Sequence, residues 1–246
     1  MSLRTDLPSF FASPPHACSY LPDKQAVTLV ADPQAAIDPR VYAELIDYGF
    51  RRSGNYLYRP RCPDCEACIP VRIPAARFAP HRRHRRTWRR NADLRVTATP
   101  AGYREEQFTL YRRYVRSRHP NGGMDEADPR RYLEFLTADW CDTVFYEFRD
   151  GRRLLAVAVA DLLPQGLSAV YTFFDPDEKA RGLGVHAVLW EILEAQRSRR
   201  PWVYLGYWIR ECPKMSYKAD YEPLQMFRNG RWVEVVHAKA SAHGVI

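Results

Sequence analysis

Residues 202–209 read Trp-Val-Tyr-Leu-Gly-Tyr-Trp-Ile, a strand with a glycine at its centre. Aromatic and β-branched side chains suit a pleated, half-buried surface. A glycine inside such a run marks a bulge, or the close approach of another backbone or a ligand. Pro213 ends the strand, and Lys214, Tyr217, Lys218 and Tyr221 follow within eight residues. Spacings of three and four predict one helical face carrying all four side chains. Lysine neutralises a phosphate and a phenol ring stacks on a base or ribose, so this face suits a ligand bearing both. A surface helix with core tyrosines gives the same pattern.

The rest of the chain supplies a sheet for that strand. Asp38-Pro39 predicts an N-cap with proline at the first helical position, and Gly49 closes that helix. Residues 55–58 and 69–73 read as strands, 95–99 as another, and 104–118 as an amphipathic helix. A Gly-rich loop spans 119–125, and Asp128-Pro129 starts a helix reaching Leu136. Strands over 143–148, 154–162 and 168–174 are separated by Asp150-Gly151 and Pro164-Gln-Gly166 turns. Lys179-Ala-Arg-Gly-Leu-Gly184 leads into a helix with the apolar stripe Val185, Val188, Leu189, Ile192 and Leu193. Residues 1–17, with Pro8, Pro14 and Pro15, read as an irregular arm. This order predicts an α+β fold and resembles the Gcn5-related N-acetyltransferase architecture, a mixed sheet with flanking helices. The expected division is a small cysteine-containing N-terminal domain over 1–93 and an acyltransferase-like domain over 94–246. In that architecture the turn at 179–184 holds a pyrophosphate on backbone N–H groups.

Charge is concentrated. Residues 51–90 hold twelve arginines against Asp64 and Glu66, in a chain whose net charge is +8. Within them His81-Arg-Arg-His-Arg-Arg-Thr-Trp-Arg-Arg90 contains no acid, and Arg82, Arg86 and Arg89 or Arg90 share a helical face. A solvated surface face normally interleaves glutamate, so a polyanion is the expected partner, bound by backbone and shape. Cys62, Cys65 and Cys68 stand at two successive two-residue gaps, and Cys18 is the natural fourth ligand of a zinc ion or iron–sulfur cluster, with His16 behind it. Buried thiols bracing a loop are the alternative. Cys141 and Cys212 read as core residues. With no apolar leader in residues 1–10 and no membrane-length apolar run, the expected setting is cytoplasmic, with no membrane partner and the cysteines not in disulfides.

Cys18-Ser-Tyr-Leu-Pro22, Gly49-Phe-Arg-Arg-Ser-Gly54, Cys62 to Cys68 with Pro70 and Arg72, Arg86 to Leu94, Leu154 to Asp161, Tyr171-Thr-Phe-Phe-Asp-Pro176 and Tyr204 to Tyr221 together resemble the aminoacyl-tRNA–protein transferases, most closely the bacterial leucyl-tRNA–protein transferases. His81-Arg-Arg-His84 departs from the Ser-Arg-Ser-Gln usual there. The resemblance implies transfer of leucine, or alternatively arginine, from aminoacyl-tRNA to proteins beginning with Asp or Glu, marking them for N-degron degradation, with no cofactor needed for the chemistry. A rival reading is a non-enzymatic RNA-binding protein with a structural zinc.

The ester of an aminoacyl-tRNA is already activated, so proximity, oxyanion stabilisation and a proton route are what an enzyme must add. Tyr171, Asp175 and Tyr207 are the candidate proton relays, beside a gap next to strands 168–174 and 202–209 that Gly206 opens to the ester. Lys214, Tyr217 and Lys218, with Arg82, Arg86, Arg89 and Arg90, are the candidate tRNA contacts. Arg72, Arg82 and Arg86 are candidates to clamp the acidic N-terminal residue, since arginine grips a carboxylate bidentately. Phe173, Phe174 and Met215 are candidates for a leucyl pocket.

Overall fold

The computed structural model describes residues 7–118 and 128–235, so the loop expected over 119–125 lies outside the described residues. The chain begins β1 (Phe10–Ala12), β2 (His16–Ala17), β3 (Gln25–Ala26), β4 (Thr28–Ala31), α1 (Pro39–Asp47), β5 (Arg51–Ser53), β6 (Tyr56–Pro60) and β7 (Ile69–Pro74). It continues α2 (Arg82–Arg90), β8 (Arg95–Pro100), α3 (Glu105–Arg118), α4 (Pro129–Leu136), β9 (Thr143–Asp150), β10 (Arg153–Leu163) and β11 (Gly166–Phe174). It then runs through α5 (Leu183–Arg197), β12 (Trp202–Trp208), the single turn α6 (Pro213–Ser216), β13 (Leu224–Arg228) and β14 (Arg231–Val235). The architecture is mixed α/β.

Eight strands form one sheet in the order β14-β13-β7-β12-β11-β10-β9-β8. Only β11 and β12 run parallel; the other neighbours are antiparallel. A second sheet, β1-β4-β6-β5, is built from the first sixty residues. β7 precedes the expected division at residue 93, yet it is an interior strand of the large sheet, between β13 and β12.

Alternation along β10 shows how the layers are made. Val157 and Val159 face the side covered by α3 and α4, and Leu163 joins α1 residues Tyr42, Leu45 and Ile46 on that same side. Ala156, Ala158 and Ala160 face α5 through Leu183 and Ala187. A strand covered on both faces must be apolar throughout, as Leu154–Ala160 is. The α5 stripe delivers Val188, Leu189 and Ile192 against Val71, Ile73, Val203 and Leu205. Each fully buried side chain of this kind contributes roughly 1.5–3 kcal/mol relative to exposure.

Local signals explain most boundaries. Asp38 Oδ1 accepts from the backbone N–H groups of Arg40 and Val41, both at 2.8 Å, and Gly49 takes φ +83° just past the end of α1. Two expectations are corrected. The N-terminal arm is not irregular over Phe10–Ala12, which pairs antiparallel with β4; its prolines flank the strand and leave the ladder donors intact. No continuous helix covers 214–221: the turn at 213–216 passes into a 3-10 turn over Tyr217–Asp220. Tertiary bonds override the local periodicity there, with Trp208 Nε1 donating to the Ser216 carbonyl at 3.2 Å and Lys218 Nζ to the Tyr207 carbonyl at 2.7 Å. Among the described residues no helix is long and apolar enough to cross a membrane.

Candidate active site

β11 and β12 pair only over Gly166–Ser168 and Trp202–Tyr204, then part. On its other edge β12 carries a bulge between Tyr204 and Gly206, where Gly206 takes φ +79°. Into the opening comes Arg51, from β5 of the small sheet, and it is 8% exposed. Its Nη1 donates to Ser168 Oγ at 3.0 Å and reaches the Tyr204 carbonyl at 3.4 Å; Nη2 donates to the Ala169 carbonyl. One guanidinium thus satisfies polar groups of both parted strands. A Cβ on residue 206 would stand 3.4 Å from Arg51 Nε. The glycine admits this guanidinium closely, where an ester was expected.

Next to it, Arg52 is anchored to β10, β9 and the end of α4, through Asp161, Thr143 and the Leu136 carbonyl. Its Nε and Nη2 lie 2.7 and 2.5 Å from the two Asp161 oxygens, with side-chain exposures of 1% and 0%. Tyr42 and Thr143 donate to the same carboxylate at 2.9 and 2.8 Å. A buried pair needs such extra hydrogen bonds to offset the cost of desolvation. Both arginines lie in the Gly49–Gly54 segment, but nothing in the sequence around them marks them as buried.

Unsatisfied polar atoms gather at the parted strands. Both Glu191 oxygens and the Tyr171 and Tyr221 hydroxyls are sealed from solvent without hydrogen-bond partners. Tyr217 is 40% exposed, and Glu191, Tyr114 and Arg118 all bear on its phenol. Burial pushes the Tyr171 phenol far above its ordinary value, with Tyr114 and Tyr111 adding to the effect and Arg118 opposing it. Burial likewise raises the Glu191 carboxyl to about 8, against the pull of Arg51. Buried polar groups without partners are uncommon, and several near the parted strands make this region the candidate place for a ligand.

The other expected residues divide sharply. Asp175 is committed to Arg113 at 2.8 Å and Arg153 at 2.7 Å; burial alone would raise its pKa, but the Asp177 N–H and Arg153 bring it below the ordinary value. The Tyr207 hydroxyl faces the carbonyls of Gly49 and Tyr58 at 3.0 and 3.2 Å, tying β12 to the small sheet. Lys218 is 7% exposed, and burial lowers its pKa to about 7. Lys214 is exposed. Arg72 lies between the Trp202 and Trp232 rings, 3.7 and 4.3 Å from their centroids, and bonds Asp47 and Gln225 at 2.8 and 2.9 Å. Phe173 is enclosed by Tyr111 and Tyr132, Phe174 packs on Tyr114, and Met215 Sδ accepts from Lys218.

α2 presents Arg82, Arg83, Arg85, Arg86, Arg89 and Arg90 to solvent, and among the described residues none pairs with a carboxylate. The helix is fixed beside the crevice: His84 stacks on Tyr221 with centroids 4.9 Å apart, and Trp88 packs on His186 of α5. Asn91 Nδ2 donates to the Arg181 carbonyl at 2.9 Å, and Thr87 lies over Gly182. The 179–184 turn is therefore covered by α2, and Arg181 is paired with Asp93 at 2.8 Å.

Cys18, Cys62, Cys65 and Cys212 all bear on Cys68, whose thiol is pushed up to about 12, first by burial and then by these neighbours. The four expected thiols therefore share one neighbourhood, with Cys212 beside them. As they stand, no three His, Cys, Asp or Glu side chains among the described residues converge closely enough to hold one metal ion.

Two family models match the chain. The arginine-tRNA-protein transferase N terminus covers residues 16–86, and the corresponding C terminus covers 106–228. Among similar curated proteins, the aspartate/glutamate leucyltransferase of Pseudomonas putida strain W619 is 56% identical over 91% of this chain and 95% of its own. Those of Alcanivorax borkumensis and Nitrosococcus oceani are 54% and 52% identical, covering 94% and 91% of this chain and 96% and 94% of theirs. A solved C-terminal domain (DUF2156) of a lysylphosphatidylglycerol synthetase from Agrobacterium fabrum overlaps at TM-score 0.45 and 12% identity, over 70% of this chain and 52% of that one, too loosely to argue from. With both family models matched and relatives above 50% identity over nearly its whole length, this chain belongs to the arginine-tRNA-protein transferase family.

Proposed function

We propose that this enzyme moves leucine from leucyl-tRNA to the N-terminal α-amine of proteins beginning with Asp or Glu, and that the product enters the N-degron route. The observation that carries the reading is the parting of β11 and β12, together with the partnerless buried Tyr171, Tyr221 and Glu191 and the acid-free arginine helix α2. The names of the relatives support leucine as the group carried. The sheet order and the parting of parallel neighbours support the Gcn5-related acyltransferase architecture, while α2 covering the 179–184 turn argues against an acyl-CoA pyrophosphate there.

In this reading tRNA phosphates run along Arg82, Arg86, Arg89 and Arg90, and the 3′ end enters past Lys214 and Tyr217. The incoming amine attacks the ester carbonyl. Its nitrogen lone pair forms the new amide bond, the ester C–O bond breaks towards the ribose oxygen, and that oxygen receives the proton the amine gives up. The Tyr171 hydroxyl, having no partner of its own, is free to donate to the developing oxyanion. Asp175 and Tyr207 serve to hold the strands through the bonds described above. Of the three candidate carboxylate clamps, Arg82 and Arg86 are exposed and pair with no carboxylate among the described residues, whereas Arg72 is caged. Cys18, Cys62, Cys65 and Cys68 remain the candidate thiolate set for zinc or an iron–sulfur cluster, supported by their common neighbourhood. No step passes through that set.

The family model is named for arginine, so both donors belong in the test. Radiolabelled leucyl- and arginyl-tRNA are offered separately to peptides beginning with Asp, Glu or Ala. Leucine on the acidic peptides alone is the expected result; arginine alone overturns the choice of amino acid, and no transfer from either overturns the enzyme reading.

A further inference from the structure

Glu191 is fully buried on α5, yet neither of its oxygens has a partner. The titratable groups bearing on it come from three sides: Arg51 from β5, Tyr217 and Tyr221 from the segment after β12, and Tyr146 from β9. None of them forms a hydrogen bond with the carboxyl group. Its chain neighbours on α5, Val188 and Ile192, belong to the apolar core, which would be packed more favourably by a hydrocarbon at position 191. A partnerless acid in such a place is a cost without a structural return. Nearest to the surface among these groups is Tyr217, a 40% exposed residue whose phenol is itself buried and interacts electrostatically with Glu191.

Two free carboxyl oxygens in an apolar wall call for a small group with several N–H donors and a positive charge. The aminoacyl ester itself carries one, its own α-ammonium, only one carbon from the reacting carbonyl. We propose that Glu191 receives the α-ammonium of the aminoacyl group on the tRNA 3′ end. This assignment rests on the aminoacyl-transfer reading of the crevice. Pinning that amine leaves only the acceptor protein's amine free to attack. It also makes an unblocked donor amine a requirement of the site, so that N-acylated aminoacyl-tRNA is refused.

The test compares wild-type enzyme and Glu191→Gln with leucyl-tRNA and N-acetyl-leucyl-tRNA as donors and one Asp-initiated peptide as acceptor, reading kcat/KM for all four combinations. Wild type is expected to prefer the unblocked donor strongly. Glu191→Gln should lose about 10- to 100-fold on leucyl-tRNA, the scale of one charge-assisted hydrogen bond, and should lose little on the blocked donor. Equal losses on both donors would overturn the assignment. A reading independent of the variant's folding comes from wild-type enzyme with the stable amide 3′-leucylamino-3′-deoxyadenosine and its N-acetyl form: equal melting shifts from the two would also overturn it. Should wild type transfer no leucine to any acidic peptide, the functional reading fails; should it accept blocked and unblocked donors alike, only the role of Glu191 fails.

Discussion

Arg51 and Gly206 are matched to one another: the arginine guanidinium passes 3.4 Å from the point where a side chain at residue 206 would begin. The same group bonds Ser168, Ala169 and Tyr204 across the parted strands. It follows that Arg51→Leu removes all three of these bonds, leaving Ser168 Oγ with Tyr42 alone. About 3 kcal/mol of stability should be lost, the scale of one or two charge-assisted hydrogen bonds. Urea denaturation reads this as a lower midpoint at unchanged slope. Arg51→Lys should recover only part of it, because an ammonium cannot span both strands as a planar fork does. A variant as stable as wild type would mean that the parting of β11 and β12 does not depend on Arg51.

Gly206→Ala tests the other half of that match. The φ of +79° disfavours any L side chain, and the new methyl group would stand in contact with Arg51 Nε at 3.4 Å. The expected cost is about 1–2 kcal/mol from the backbone, with turnover falling more than stability because the crevice is reshaped. Thermal melting and leucyl transfer measured on the same preparation separate the two effects. A variant with full turnover would remove Gly206 from the crevice.

Much of this was legible in the sequence, and the exceptions have a common cause. Asp38-Pro39 fixes α1 by a cap that acts within three residues, and the two-sided apolar run of β10 can only be an interior strand. The glycine bulge in β12 was visible for the same reason: a glycine at the centre of an aromatic strand has few other uses. Arg51, Arg52 and Glu191 were not visible. Their roles come from partners more than a hundred residues away, or from the absence of any, and nothing local distinguishes them from surface charges. Lys218 fails in the opposite sense: its i, i+3 and i+4 neighbours suggested an exposed face, but the carbonyl of Tyr207 draws it inward.

Arg52 and Asp161 form a buried pair whose members cannot be removed singly without leaving an unpaired charge. Arg52→Leu and Asp161→Leu should each cost about 3–5 kcal/mol, and the double variant less than either single change. A double-mutant cycle by chemical denaturation measures the coupling. Strict additivity would show that the two side chains are not coupled to each other.

The α2 arginines should act through phosphate. Substituting Arg82 and Arg86 by Ala should reduce the log–log salt slope of tRNA binding by roughly 0.7 for each phosphate that is no longer neutralised. Stability should hardly move, since both side chains are exposed and pair with no carboxylate among the described residues. Filter binding across a salt series decides the matter, and an unchanged slope removes both residues from the tRNA footprint.

Lys218 gives stability a pH dependence whose sign follows from its burial. Its pKa falls from the ordinary 10.5 to about 7 in the folded protein. Between those values the unfolded chain holds the proton and the folded chain does not, so this group makes stability rise with pH by up to about 1.4 kcal/mol per pH unit. Below pH 7 both states are charged, and folding then carries the full cost of burying an ammonium. Lys218→Met removes that cost along with the bond to the Tyr207 carbonyl. The difference in stability, variant minus wild type, should therefore be most favourable to the variant near pH 6–7 and should decline steadily towards pH 10. Urea midpoints of the two proteins at matched pH read this difference directly, with the other titrating groups common to both. A constant offset across that range would mean that Lys218 keeps an ordinary pKa and reaches water in the folded state.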